Sequence, residues 1–184
     1  MRSQIDKKEE KIMKHTLRIL VCLLLALSMV SLASCSGQWK TDVAVDTIAN
    51  ELKDAARVLD GWENADSDYI SASNWGDDYK EQMKKVAEYR ILISSNSANN
   101  INEMGIFRLN SANDAKAFKG FVDAYLDTYT LRMTPILEAY NQTEILKLNN
   151  AKVTVCGTYV LYTIVSDSNT SAVHRAFEDM LKAE

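Results

Sequence analysis

The chain has 184 residues, 47% of them apolar, with 21 Lys and Arg against 25 Asp and Glu, a formal net charge of −4. That length accommodates one ordinary domain and a targeting segment, and the apolar fraction is enough to build a core. Residues 1–34 hold six of the basic and three of the acidic side chains, which leaves residues 35–184 with 15 basic and 22 acidic. Nucleic-acid binders gain affinity by neutralising phosphates with Lys and Arg, so so acidic a body disfavours a nucleic-acid partner.

The stretch Ile19–Ala33 is free of charge, preceded by Lys14 and Arg18 and followed by small residues. About 15 residues fall short of the roughly 20 that span a bilayer as a helix, and the layout is that of a secretory signal peptide. Met13 opens a more typical version of such a signal than Met1 does, because residues 1–12 include Asp6, Glu9 and Glu10. The run ends in Leu32-Ala33-Ser34-Cys35. This tetrapeptide resembles the lipobox of bacterial lipoproteins, in which the cysteine thiol is joined to a diacylglycerol and the chain is cut just before it. The resemblance implies a cleaved signal over residues 1–34, a lipid attached to Cys35, and a short tether over 35–41. Acyl chains bury at about 0.8 kcal/mol per CH₂, so two or more hold a protein stably on a membrane. The implied location is the extracytoplasmic face of the cell membrane, and the implied partners are the membrane and an unidentified protein or ligand of the cell envelope. Loss of residues 1–34 would remove Cys22 and His15, leaving Cys156 as the only free thiol and His174 as the only imidazole. An intramolecular disulfide and a Cys/His zinc site are then excluded by count. No other metal site and no cofactor is expected.

Residues 42–184 are expected to form a single domain. Val45, Ile48, Leu52, Ala55/Ala56 and Leu59 recur at helical spacing, predicting a helix over residues 43–59 with Asp42 as its cap and Asp60-Gly61 as its end. Residues 60–79 contain six acids, no Lys or Arg, and the aromatics Trp62, Tyr69, Trp75 and Tyr79. Asp60, Glu63, Asp66 and Asp68 do not follow the spacing of an EF-hand loop. Aromatics beside acids are compatible with a sugar platform, but an exposed connection whose aromatics pack on the domain edge is the commoner arrangement. A short helix over 80–88 and strands over Tyr89–Ser95 and Glu103–Asn110 follow, joined by a polar turn.

Phe118, Val122, Tyr125, Tyr129, Met133, Ile136 and Tyr140 lie 4, 3, 4, 4, 3 and 4 residues apart, predicting a helix over 113–140 with these seven on one face toward a sheet. Asn110, Ser111 or Asn113 would cap it, and Pro135 would kink or interrupt it. A short helix over 142–148 is expected next. Lys152–Val165 is rich in β-branched and aromatic residues divided by Gly157, which predicts a tight hairpin. Val173, Phe177 and Leu181 mark a final helix capped by Thr170 or Ser171. The order α-β-β-α-β-β-α predicts an α+β domain in two layers, an antiparallel four-stranded sheet with helices on one face.

The segments Glu103–Asp127 and Asn149–Leu181, with Asn150, Ala151, Val153, Gly157, Tyr159, Val160 and Leu161 in the hairpin, resemble a bacterial family of small lipoproteins that carry a domain of unknown function. The resemblance implies the fold and the location and no reaction. Pro135 and residues 60–79 depart from its pattern.

Catalytic candidates are weak. Cys156 and His174 would make a dyad only if both reached one cleft; Cys156 is placed in a strand entering the hairpin and His174 at the surface of the last helix. Asp77/Asp78, Asp123/Asp127 and Glu178/Asp179 read as solvated pairs. The expectation is therefore no catalytic residue and a non-catalytic binding or accessory module. The alternative is a small envelope hydrolase using the acids of 60–79.

Overall fold

The computed structural model describes residues 39–97 and 99–183. The chain divides into two units, Met1–Gly37 and Gln38–Glu184. The expected signal segment, Cys22, His15 and Cys35 lie outside the described residues.

The body is α+β, built on one antiparallel sheet of five strands: β1 (Trp62–Asn64), β2 (Val86–Ser94), β3 (Glu103–Leu109), β4 (Lys152–Cys156) and β5 (Tyr159–Ile164), in the spatial order β1-β2-β3-β5-β4. Six α-helices are described: α1 (Val45–Ala56), α2 (Ala72–Trp75), α3 (Tyr79–Met83), α4 (Ala112–Tyr140), α5 (Ile145–Asn149) and α6 (Asp167–Leu181). None of the described helices is long and apolar enough to cross a membrane.

Two parts of the expected architecture are corrected. The sheet has five strands, because Trp62-Glu63-Asn64 pairs with Leu92–Ser94; three residues in an acidic stretch show no alternation to read. Helices also cover both faces. On β5, Val160, Tyr162 and Ile164 enter one core with Phe107 and the α4 residues Phe118, Val122 and Tyr125. Tyr159 and Leu161 enter a second core with Leu92, Met104, Ile106, the α1 residues Ile48 and Leu52, and the α6 residues Val173 and Phe177. Every residue of β5 is therefore buried. Such a strand reads as an unbroken apolar run because both its faces are covered.

Local chemistry explains the shifted helix ends. α1 receives no side-chain cap from Asp42; Ala44 stands at the cap position, and the Val45 amide donates to Glu88 Oε1 on β2, 3.2 Å away. The helix stops at Arg57 in the left-handed conformation, three residues before Asp60, so Leu59 lies wholly exposed, off the predicted stripe. α4 starts as expected on Ser111, whose Oγ accepts from the Asp114 amide at 3.0 Å. It runs unbroken through Pro135. The donor lost there would have faced the carbonyl of Leu131, a residue open to solvent. With 29 residues α4 is about 43 Å long, and strands of five to nine residues span about 17–30 Å. The helix overshoots the sheet. Phe118, Val122 and Tyr125 are accordingly buried, Tyr129 and Met133 partly so, and Ile136 and Tyr140 are exposed. The last helix starts earlier than expected, at Asp167, with Ser166 rather than Thr170 or Ser171 at the cap position.

The chain enters the body earlier than expected. Trp39 bridges Lys182 antiparallel, the Lys40 amide donates to the Leu181 carbonyl at 2.8 Å, and Lys40 Nζ donates to the Met180 carbonyl at 3.1 Å. Gly157, at φ +59°, forms the hairpin turn beneath Trp39; a Cβ there would lie 2.8 Å from the Trp39 Cβ. Residues 39–41, expected in the tether, thus belong to the folded body at Trp39 and Lys40.

Candidate functional site

β3 is apolar apart from Glu103 and Arg108, and Glu103, its first residue, is 2% exposed. Period-two alternation puts Glu103, Gly105, Phe107 and Leu109 on the α4 face of the sheet. Three phenols converge on the Glu103 carboxyl. Tyr162 donates to Oε1 at 2.5 Å, Tyr125 to Oε1 at 2.7 Å, and Tyr69 to Oε2 at 2.5 Å. The Tyr69 and Tyr125 hydroxyls are also 3.1 Å apart.

Each phenol is placed by a different element. Tyr162 stands on β5 directly opposite Gly105, and a Cβ at 105 would lie 2.0 Å from Tyr162 Cε1. Only glycine lets the tyrosine ring lie across β3 so that its hydroxyl reaches two residues along to Glu103. Tyr125 comes from the middle of α4, its ring stacked on Trp75 at 3.8 Å between centroids and 3° between planes. Tyr69 arrives from the loop before α2, held by its own carbonyl accepting from Asn74 Nδ2 at 3.0 Å.

The electrostatics follow from burial. Desolvation pushes the Glu103 carboxyl above the ordinary carboxyl range, opposed by the three phenol bonds and by the nearby Arg132 charge. Desolvation and the Glu103 charge push Tyr69, Tyr125 and Tyr162 above the ordinary phenol range. The three phenols thus satisfy the carboxyl from three sides, and the Tyr69–Tyr125 contact closes the cluster.

Above the cluster lies a cleft of about 350 Å³, lined by Tyr69, Glu103, Tyr129, Arg132, Asn102 and Met133 among others. Arg132 lies at its mouth, its guanidinium 5.4 Å from the centroid of the Tyr129 ring and donating to Asn74 Oδ1 at 3.1 Å. A second buried acid lies behind the cleft residue Ile101: Glu144 accepts from the Ile101 amide at 2.8 Å and pairs with Lys147 at 2.7 Å, which ties the β2–β3 loop to the segment after α4. The cleft thus offers a charged guanidinium, asparagine amides and a hydroxyl-lined floor.

The residues singled out from sequence are dispersed. Among the described residues, no group of three His, Cys, Asp or Glu comes together as a metal site. Asp60 Oδ2 accepts from Asn100, Asp68 accepts from Ser67, and Glu63 is an exposed strand residue. Of the aromatics in this segment, Trp75 is buried against Phe107 and Tyr125, and Tyr69 holds Glu103. They pack into the domain and form no open platform. Asp123 pairs with Lys119 at 2.7 Å. His174 is not at the surface: it is 1% exposed, with Nε2 2.9 Å from Thr163 Oγ1 and Nδ1 2.7 Å from Thr154 Oγ1. Both ring nitrogens are taken, so Cys156 has no base; burial pushes its thiol up to about 12 and the imidazole down to about 4.

Glu103, Tyr125 and Tyr162 were each legible as members of an element and Tyr69 as part of the 60–79 connection, but their convergence was not. The available signal was a glutamate heading an otherwise apolar strand, with glycine two residues on.

Comparison with models of known families, with characterised proteins and with solved structures finds no match for this chain.

Proposed function

We propose that this chain is a bacterial lipoprotein, held on the extracytoplasmic face of the cell membrane through lipid on Cys35, whose body binds a ligand or partner of the envelope and transforms none. The observation that carries the reading is Leu32-Ala33-Ser34-Cys35 at the end of a 15-residue uncharged run. The early start of the folded body supports it, because Trp39 is already latched four residues after that cysteine. The binding face is the cleft over Glu103. Its Arg132 and asparagine groups suit a polar ligand that presents acceptors, and its Met133 and Ile101 an apolar edge. Among the described residues the Cys156–His174 pair is committed to packing and the acids of 60–79 are dispersed, which favours the binding reading over the hydrolase one.

The test is fractionation of cells that express the chain with Cys35→Ala. The variant accumulates as uncut precursor or leaves the membrane fraction. A variant that remains membrane-bound and is processed like the parent removes the anchor assignment.

A further inference from the structure

We infer that the leash between Cys35 and Trp39 fixes which end of the body faces the bilayer: the β4–β5 turn and the end of α6 face the lipid surface, and the Glu103 cleft opens on the opposite, aqueous side. This rests on the lipid-anchor reading above and goes beyond it.

The leash is short. Three residues separate Trp39 from Cys35, so across four Cα–Cα steps their Cα atoms lie within about 14 Å of each other. The attachment point on the body is rigid. Trp39 and Lys40 bond to Leu181 and Lys182 at the end of α6, Trp39 sits on Gly157, and the Val43 carbonyl accepts from the Tyr159 hydroxyl at 2.7 Å. All of these lie at one end of the strands.

The cleft lies at the other end. On β5, Tyr159 marks the Trp39 end and Ile164 pairs with Glu103, five residues farther along, or about 17 Å. β3 runs the same axis in reverse, from Glu103 to Leu109, whose amide donates to the Thr158 carbonyl in the turn. β2 agrees: Val86 pairs with Leu109 near the turn and Ile93 with Glu103 near the cleft. Three strands therefore place the cleft at the end of the sheet opposite the attachment point, about 17 Å along the strands. Exposed Lys40 and Lys182 flank Trp39, with Asp42 nearby; leash length and register, not charge, decide the orientation. A ligand or partner then reaches the cleft from the external medium and not from the bilayer.

The experiment uses the full chain, lipidated in cells, purified from membranes and reconstituted into phosphatidylcholine vesicles that carry nitroxide-headgroup lipid. A fluorophore is placed at Lys182→Cys in one preparation and at Ser97→Cys, on the cleft rim, in another. Cys156 is 1% exposed, and the unsubstituted chain serves as the labelling control. Quenching at position 182 is expected to exceed that at position 97 at least threefold. A 15-residue Gly/Ser insertion between Gly37 and Gln38, outside the folded body, is expected to abolish the contrast. Equal or reversed quenching in the parent overturns the orientation, and a contrast that survives the insertion overturns the leash as its cause. Failure of the purified protein to float with vesicles at all would count instead against the lipid anchor.

Discussion

The two faces of the sheet solve the problem of buried polarity differently. The α4 face buries a carboxyl and surrounds it with three phenols from three elements. The α1–α6 face packs aliphatic and aromatic side chains, and its imidazole, His174, is kept neutral between two threonines. A carboxyl buried alone would be prohibitive, and partial satisfaction of such a network is worse than an apolar core. The α4 face can therefore hold a polar floor under a cleft, whereas the opposite face is closed packing. The difference separates a face that opens on a cleft from one that is closed by packing.

The comparison breaks most sharply at Glu103. Glu103→Leu leaves three buried hydroxyls without their shared acceptor, and urea unfolding is expected to show a loss of about 4 kcal/mol. Gly105→Ala attacks the same cluster through shape. The new Cβ meets Tyr162 Cε1 at 2.0 Å, so the ring or strand must move, with an expected loss of about 3 kcal/mol.

The pH dependence of stability sharpens the contrast, because the two faces have opposite signs. His174 is held near 4 in the fold against 6.5 for the free side chain, so the unfolded chain binds the extra proton between those values. Its contribution is complete above about 6.5 and is lost as pH falls toward 4, about 3 kcal/mol in all. Glu103 is raised in the fold, so its contribution is present at low pH and is lost as pH rises through its native titration. Urea midpoints measured from pH 4 to 8 should show the acid-side loss flatten in His174→Gln, while Glu103→Gln retains that loss and removes the decline at higher pH. The smallest effect is expected from Tyr162→Phe, which deletes one of the three donors and leaves the ring in place, at about 1 kcal/mol by the same unfolding measurement.

Much of the fold was legible because it is written in local periodicity. The α4 stripe, the Gly157 hairpin and the Val173, Phe177, Leu181 face of α6 all follow from spacing within one element. What was missed depends on partners distant in sequence. Glu88 supplies the donor-satisfying group at the start of α1 from 43 residues away, so Asp42 looked like the cap. β1 is a strand only because Leu92–Ser94 accepts it. His174 looked superficial beside Arg175 because Thr154 and Thr163, which hold it, lie on two strands of the hairpin. The Glu103 cluster draws on residues from 69 to 162, each of which has an ordinary local reason to be where it is. A glutamate at a strand end is normally at the surface; only the glycine at 105, vacated for a ring from β5, marks it as buried.

The most direct test of the central claim, that Cys35 anchors this body to a membrane, is the intact mass of the chain purified from the membrane fraction of cells that express it. A polypeptide that begins at Cys35 and carries the added mass of a diacylglyceryl thioether is the predicted result. A free thiol at position 35, or a chain that still begins upstream of it, would contradict the account.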